Sequence, residues 1–402
     1  MRRDGALAAG AATLALVTSA SLLAWRHGSA LVPRAGGTAG GSEPLFLALL
    51  VAAFVAYVVG LVLIRRAGAP FAAAAAIAVA VQLAPLGAPL LLSTDAWTYW
   101  SYGWIAARGD GNPYRDRPEE RPGSPALPYM GADWIDTTSV YGPAFTLTSE
   151  PIAAVAGSSA DVAAWLFKAL AALSAVAAAL LAARLSPRRS LAVAFVGWNP
   201  VLAVHLAGGG HNDAWLGALL LAALALSASR HLQAAGAAWA LAVLVKWVPL
   251  LFLALRAIEG RSTGRRTAHL GFAVTFAAVV ALGTWRYGLD WPLAVVPLAG
   301  NAALETSYAL PHRLEQAGVP AGVALTLAAV AFLAGFAWLA REAHRGRARL
   351  GLAASLVLVT TPYLAVWYLG WAVPLAGSEE DDAAKLAVLA LTAYLLPQAI
   401  PL

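Results

Sequence analysis

Apolar runs close to the ~20 residues that one helix needs to cross a bilayer recur along this whole chain. They fall at about 5–25, 45–64, 71–92, 161–183, 191–207, 213–229, 232–255, 267–285, 321–340, 350–376 and 383–400. In lipid every backbone N–H and C=O must be satisfied internally, so runs of this kind fold as helices. The predicted fold is an all-α polytopic membrane protein with about 11–13 membrane helices, short hairpins included. Only 12% of the residues are charged, against about 25% in a soluble domain. Residues 1–402 therefore read as one membrane unit rather than a string of soluble domains. The first run, "MRRDGALAAGAATLALVTSASLLAW", has an apolar core longer than that of a cleaved secretory signal, and further runs follow it. It reads as a signal-anchor helix.

Charge sets the expected topology. Arginines cluster at Arg2/Arg3, Arg65/Arg66, Arg184/Arg188/Arg189, Arg256 to Arg266 and Arg341 to Arg349. The positive-inside rule assigns each cluster to the cytoplasm. Three crossings then leave residues 93–150 outside, and a fourth at 161–183 returns "RLSPRRS" to the inside. A single crossing at 232–255 would put "RAIEGRSTGRR" on the wrong side. A hairpin that breaks at "KWVP" (246–249) removes the conflict, because Pro249 lacks an N–H and disfavours helix just before it. The same argument folds 350–376 back near "TPYLAVWYLGW" and keeps "GSEEDD" inside. Residues 143–157 are expected to be an interfacial helix rather than an extra span.

Two extracytoplasmic loops follow from this scheme, 93–150 and 286–320, and together they are expected to form a cap. Loops of such length are functional or disordered, and their aromatic and proline content favours a folded cover. The first carries Asp95, Asp110, Asp116, Glu119, Glu120, Asp133, Asp136 and Glu150. The chain has no cysteine, which excludes disulfides, thiolate metal sites and cysteine nucleophiles. The net charge of +6 is spread over short loops. It reads as a topology signal with contacts to membrane lipids, and no nucleic-acid-binding motif accompanies it.

Within this frame a few polar residues stand out. Asp95 opens "DAWTYW" just past an apolar run. It is either a solvated helix-end carboxylate or a base whose pKa the membrane edge raises to useful strength. The aromatics at 97, 99, 100, 102 and 104 are either a sugar-stacking wall, with Trp97 and Tyr99 foremost, or an interfacial belt. "GDGNPY" (109–114) and "SVYGP" (139–143) are rigid turn signatures, which brings in Asn112, Tyr114 and Tyr141 as neighbours of a sugar site. "GGGHND" (208–213) offers His211 and Asp213 in a polar turn, or a phosphate-binding nest at a helix start. It matches no P-loop or dinucleotide fingerprint and lacks a third zinc ligand. Lys246 sits within an apolar run, where an ammonium either snorkels or meets an anion such as a lipid phosphate. His312 and Arg313 in the second loop could add positive charge, and Tyr363, Trp367 and Tyr368 emerge on the same side.

One chemistry unites these parts: glycosyl transfer from a lipid-phosphate sugar. A carboxylate takes the proton of an acceptor hydroxyl as it attacks the anomeric carbon. Cations at Lys246, His211, His312 and Arg313 would meet the departing phosphate. No cofactor and no metal is expected.

The chain also resembles the GT-C glycosyltransferases, in particular the actinobacterial polyprenyl-phosphate-mannose-dependent α-(1→6)-mannosyltransferases. The resemblance rests on an ordered set over about residues 90–375: Asp95/Tyr99, then Gly111/Pro113/Tyr114, then Tyr141/Gly142/Pro143. "WNPVLAVHLAGGGHNDA", "VKWVPLL" and "TPYLAVWYLGWAVP" follow in the same order. It implies a GT-C fold, an extracytoplasmic active site in the plasma membrane, and Asp95 as general base of an inverting reaction. The donor would be a β-linked polyprenyl-phosphate mannose and the acceptor a cell-envelope glycan or glycolipid. The same fold using another polyprenyl-phosphate sugar, such as arabinose, is the near alternative. A lipid or solute transporter is the alternative from a different class.

Overall fold

The computed structural model describes residues 2–33, 41–108, 111–264, 270–300 and 306–402. Gly109 and Asp110 of the first turn signature, and Arg265 and Arg266 of one basic cluster, lie outside the described residues. Among the described residues every regular element is helical, and the protein is an all-α polytopic membrane protein. Five stretches are long and apolar enough to cross a bilayer alone: Asp4–Trp25, Glu43–Ala67, Ala160–Leu185, Leu270–Tyr287 and Ala321–His344. They belong to α1 (Arg2–Leu22, extended by a turn), α2 (Glu43–Ala67), α6 (Ala160–Leu185), α12 (Leu270–Tyr287) and α15 (Ala321–His344). A sixth stretch is long and apolar enough only when two helices bent by 42° are taken together, α7 (Arg189–Gly197) and α8 (Pro200–Gly208).

The other passages of the expected topology are shorter: α3 (Phe71–Leu83), α9 (Asp213–Ala228), α10 (Leu232–Val245), α11 (Pro249–Ser262), α16 (Leu350–Thr360), α17 (Leu369–Ser378) and α18 (Asp382–Leu395). At 1.5 Å per residue, a helix of about 14 residues rises only ~21 Å. Such helices need protein around their ends, because exposed irregular backbone is not tolerated in lipid.

Both expected breaks are present. Lys246 leaves α10 in an extended conformation and Pro249 starts α11, while residues 361–368 separate α16 from α17. The two halves at Lys246 do not form a tight hairpin, however. The first packs on α9 and α12, and the second on α15. The basic clusters meet at one end of the bundle. Arg65 pairs with Asp382 at 2.8 Å, Arg188 with Glu380 at 3.6 Å and Arg349 with Asp381 at 2.7 Å. Arg184 donates to Ser229 at 2.8 Å, and Glu259, the partner of Arg256, accepts from the backbone of Ala348 at 3.0 Å.

The opposite end is closed by elements expected to be loop. Residues 93–150 are not one loop. They contain α4 (Asp95–Ala107) and most of α5 (Pro143–Ala156), joined by irregular chain with short 3₁₀ turns. The α4/α5 pair lies across this end: Trp97 donates to Ala160 O at the start of α6, and Arg286 at the end of α12 pairs with Glu150 at 3.0 Å. The second loop contributes the short helices α13 (Val295–Gly300) and α14 (Leu310–Gln316).

Close backbone approach sets the position of the helices that matter most below. A Cβ on Gly217 of α9 would stand 2.2 Å from the carbonyl oxygen of Gly370 in α17. Gly217→Ala must push these helices apart. It is expected to lower stability by ~1–3 kcal/mol, read as a lower unfolding midpoint in detergent.

Candidate active site

Asp95 is the first residue of α4, after Thr94. The segment leading to it is strained: Leu92 adopts φ 61°, a left-handed conformation that is an outlier for a bulky residue. Such strain persists only where the surroundings enforce it, commonly at functional sites. Here Leu92 N donates to Leu31 O at 2.9 Å and Leu91 N to Gly208 O at 3.0 Å. Gly208 ends α8, so the same contacts place the "GGGHND" turn beside Asp95. Gly210, at φ 73°, turns the chain, and a Cβ there would crowd Ala96 and Phe167.

The turn delivers His211. Its Nδ1 lies 3.2 Å from Asp95 Oδ2, and its ring stacks on Trp367 at 4.0 Å and 12°. Tyr99 OH donates to the same carboxylate oxygen at 3.3 Å. The Asp95 side chain keeps 13% exposure, while His211 keeps none.

Desolvation alone would raise the Asp95 carboxyl. His211 and then Lys246 and Ser93 outweigh it, so the group is held below the ordinary carboxylate value. The expected upward shift at the membrane edge is therefore overturned. The polar neighbours, invisible in the local sequence, decide the sign.

A second carboxylate lies across the cavity. Asp213, the first residue of α9, is fully buried and accepts from Lys246 Nζ at 2.7 Å and from Trp371 Nε1 at 3.0 Å. The Lys246 ammonium also stands 5.2 Å from the Tyr368 ring centre and 5.8 Å from that of Tyr141. These groups line one cavity of about 170 Å³. Its wall includes Asp95, Asp213 and Lys246 with a belt of aromatics: Trp134, Tyr141, Trp247, Tyr363, Trp367, Tyr368 and Trp371. Asp213 of the "GGGHND" turn spends its two carboxylate oxygens on Lys246 and Trp371.

The cavity thus gathers Asp95, Tyr141, Asp213, Lys246, Tyr363, Trp367 and Tyr368 from the sequence candidates, with His211 and Tyr99 directly behind Asp95. The rest stand elsewhere. Trp97, Trp100 and Tyr102 are buried among protein side chains and do not line the cavity. Asn112 ties the two loops together, donating to Tyr287 O and Asp290 at 2.8 Å each, and Tyr114 bonds Thr146 at 2.7 Å. His312 contacts Glu315 and Gln316, while Arg313 reaches Tyr394 at 3.1 Å. Sequence reasoning missed Trp134, Trp247, Trp371 and Leu298 as lining residues. Trp371 was within reach, since it ends the quoted aromatic segment. Among the described residues no group of His, Asp and Glu could hold a metal ion.

Comparison with known proteins adds an independent finding. A family model described as alpha-(1->6)-mannopyranosyltransferase, N-terminal domain, matches residues 5–259. The chain is 26% identical over 247 residues to alpha-(1->6)-mannopyranosyltransferase A of Corynebacterium glutamicum, covering 55% of this chain and 50% of that protein. It is 27% identical over 344 residues to the protein of the same name from Mycobacterium tuberculosis, covering 76% and 65%. The chain therefore spans only half to two thirds of the length of these relatives. No solved structure matches it.

Proposed function

The chain belongs to the alpha-(1->6)-mannopyranosyltransferase family, and on that premise we propose that it transfers mannose from a polyprenyl-phosphate donor to a cell-envelope glycan or glycolipid. One observation carries the reading: Asp95 and Lys246 line a single cavity of monosaccharide size, at the end of the bundle away from the basic clusters. The positive-inside rule makes the basic end cytoplasmic, so the cavity opens on the extracytoplasmic side.

Asp95 accepts the proton of the acceptor hydroxyl as its oxygen attacks the anomeric carbon. The bond from that carbon to the phosphate oxygen breaks, and its electron pair leaves with the polyprenyl phosphate. Attack opposite the leaving group inverts the anomeric centre, so a β-linked donor gives an α-linked product. His211 orients the carboxylate, and its contact favours the ionised form that can accept a proton. Lys246 lies where negative charge develops on the departing phosphate. Asp213 and Trp371 aim that ammonium. The aromatic belt offers faces to the sugar.

Membranes containing the protein, incubated with radiolabelled polyprenyl-phosphate mannose and oligomannoside acceptors, should show transfer. A parallel reaction with the arabinose donor tests the near alternative, and exclusive use of arabinose would replace mannose in the proposal. Sidedness is tested separately. The chain has no cysteine, so Glu119→Cys, at an exposed position of the first loop, gives a single thiol, which a membrane-impermeant maleimide should label from outside intact cells. Labelling only after lysis would invert the topology.

A further inference from the structure

We propose that Lys168 is a positioning residue for the reaction: its buried ammonium fixes the strap of residues 88–92 that sets the Asp95 carboxylate against His211. This inference rests on the function proposed above and deepens it. Lys168 lies eight residues into α6, a rise of about 12 Å, and keeps 2% exposure. Among the described residues no carboxylate pairs with it. Its Nζ donates instead to Ala88 O and to Pro89 O, the latter at 3.2 Å. A charge at membrane depth is costly and commonly functional. Lys168 does not line the cavity, so its effect on the reaction passes through the two carbonyls it holds.

Those carbonyls open the strap. Residues 88–92 belong to no helix, and irregular backbone at this depth is tolerated only where protein satisfies its polar groups. Lys168 supplies donors at one end, while Gly208 O and Leu31 O hold the amides of Leu91 and Leu92 at the other. Between them the strap presses on the end of α8, where a Cβ on Gly208 would stand 2.8 Å from Leu91 Cδ1. Leu92 stays at φ 61° only while both ends are held, and Asp95 follows three residues later. The same turn of α6 backs the other side of the contact. A Cβ on Gly210 would stand 3.4 Å from Lys168 N and from Phe167 Cβ. Residues 167 and 168 thus brace the strap ahead of Asp95 and the turn ahead of His211. Without the ammonium, Leu92 is free to leave its strained conformation and Asp95 to move relative to His211. A misplacement of about 1 Å at a reacting group can cost ~10²-fold in rate.

The test uses the full chain in lipid nanodiscs and has two arms. In the first, Lys168→Met is expected to lower kcat for mannosyl transfer by about 10- to 100-fold. KM for the polyprenyl-phosphate mannose donor should hold, because Lys246 is untouched. Made on top of Asp95→Asn, the same change should cost little more, since the group it positions is already gone. An unchanged kcat, a loss that falls on KM, or a loss that multiplies that of Asp95→Asn overturns the proposal. The second arm needs no activity. In hydrogen exchange read by mass spectrometry, peptides covering 88–95 and 205–212 should exchange faster in Lys168→Met, while those of α2 and α15 match the unmodified protein. Faster exchange throughout would mark a general structural role, and unchanged exchange at 88–95 would leave the strap independent of Lys168; either rejects the proposal. Lys168→Gln, uncharged and shorter by one atom, replaces Lys168→Met if that variant does not fold, with the same expectations. If exchange responds as expected but the unmodified protein transfers no mannose, the hold of Lys168 on the strap stands and the proposed function fails.

Discussion

Replacing Asp95 by asparagine is expected to cut mannosyl transfer by ~10²–10⁴-fold, the usual worth of a positioned base, with little change in fold. Asparagine keeps the size of the side chain and can still accept from Tyr99, so α4 and the turn at His211 should hold. What is lost is the site for the acceptor's proton. Unchanged transfer by Asp95→Asn would remove Asp95 from the mechanism. The pH profile sharpens the test. His211 and Lys246 hold the Asp95 carboxyl below its ordinary value, so the ionised, proton-accepting form persists down to acid pH. Activity due to this group should fall only as pH drops below ~4. An acid limb of kcat/KM nearer neutrality that moves in Asp95→Glu would show a base with a raised pKa, contrary to the geometry.

The sequence foretold the bundle better than the site, and the reason is physical. Membrane helices announce themselves by length and apolarity, and arginines mark the ends where they stop. Even the breaks were legible, because Pro249 and the segment around Tyr363 cannot continue a helix. The sign of the Asp95 shift was not legible. It depends on His211, more than a hundred residues away, brought near by the contacts of Leu91 and Leu92. The aromatics of α4 do not line the cavity, for a related reason. Trp97 and Tyr99 lie on a helix, which turns them into the protein toward Ala160 O and Phe167, whereas a loop could have presented them to a sugar. Asn112 and Tyr114 sit in a turn motif that holds two loops together, and motif spacing alone does not separate that work from sugar binding. His312 and Arg313 show that a cation in the right loop need not reach the cavity.

Lys246 and Asp213 should respond unequally to mutation, and the asymmetry distinguishes the ion pair from a snorkelling lysine. Asp213 has no exposure, whereas the Lys246 side chain keeps 18%. Lys246→Met strands a buried carboxylate and is expected to cost ~3–5 kcal/mol of stability. Asp213→Asn should cost less, because the ammonium can turn to water in the cavity and the amide oxygen can still accept from Trp371. The double variant Lys246→Met/Asp213→Leu replaces the pair by apolar groups and should recover most of the loss, as buried pairs commonly do. Transfer should not recover with it, since no cation then faces the departing phosphate. Thermal unfolding in detergent measures the first effect, and initial rates with the polyprenyl-phosphate mannose donor measure the second. A Lys246→Met protein as stable as the original would mean that the lysine merely snorkels. A double variant that regains both stability and transfer would mean that the pair is structural, and that some other group meets the phosphate.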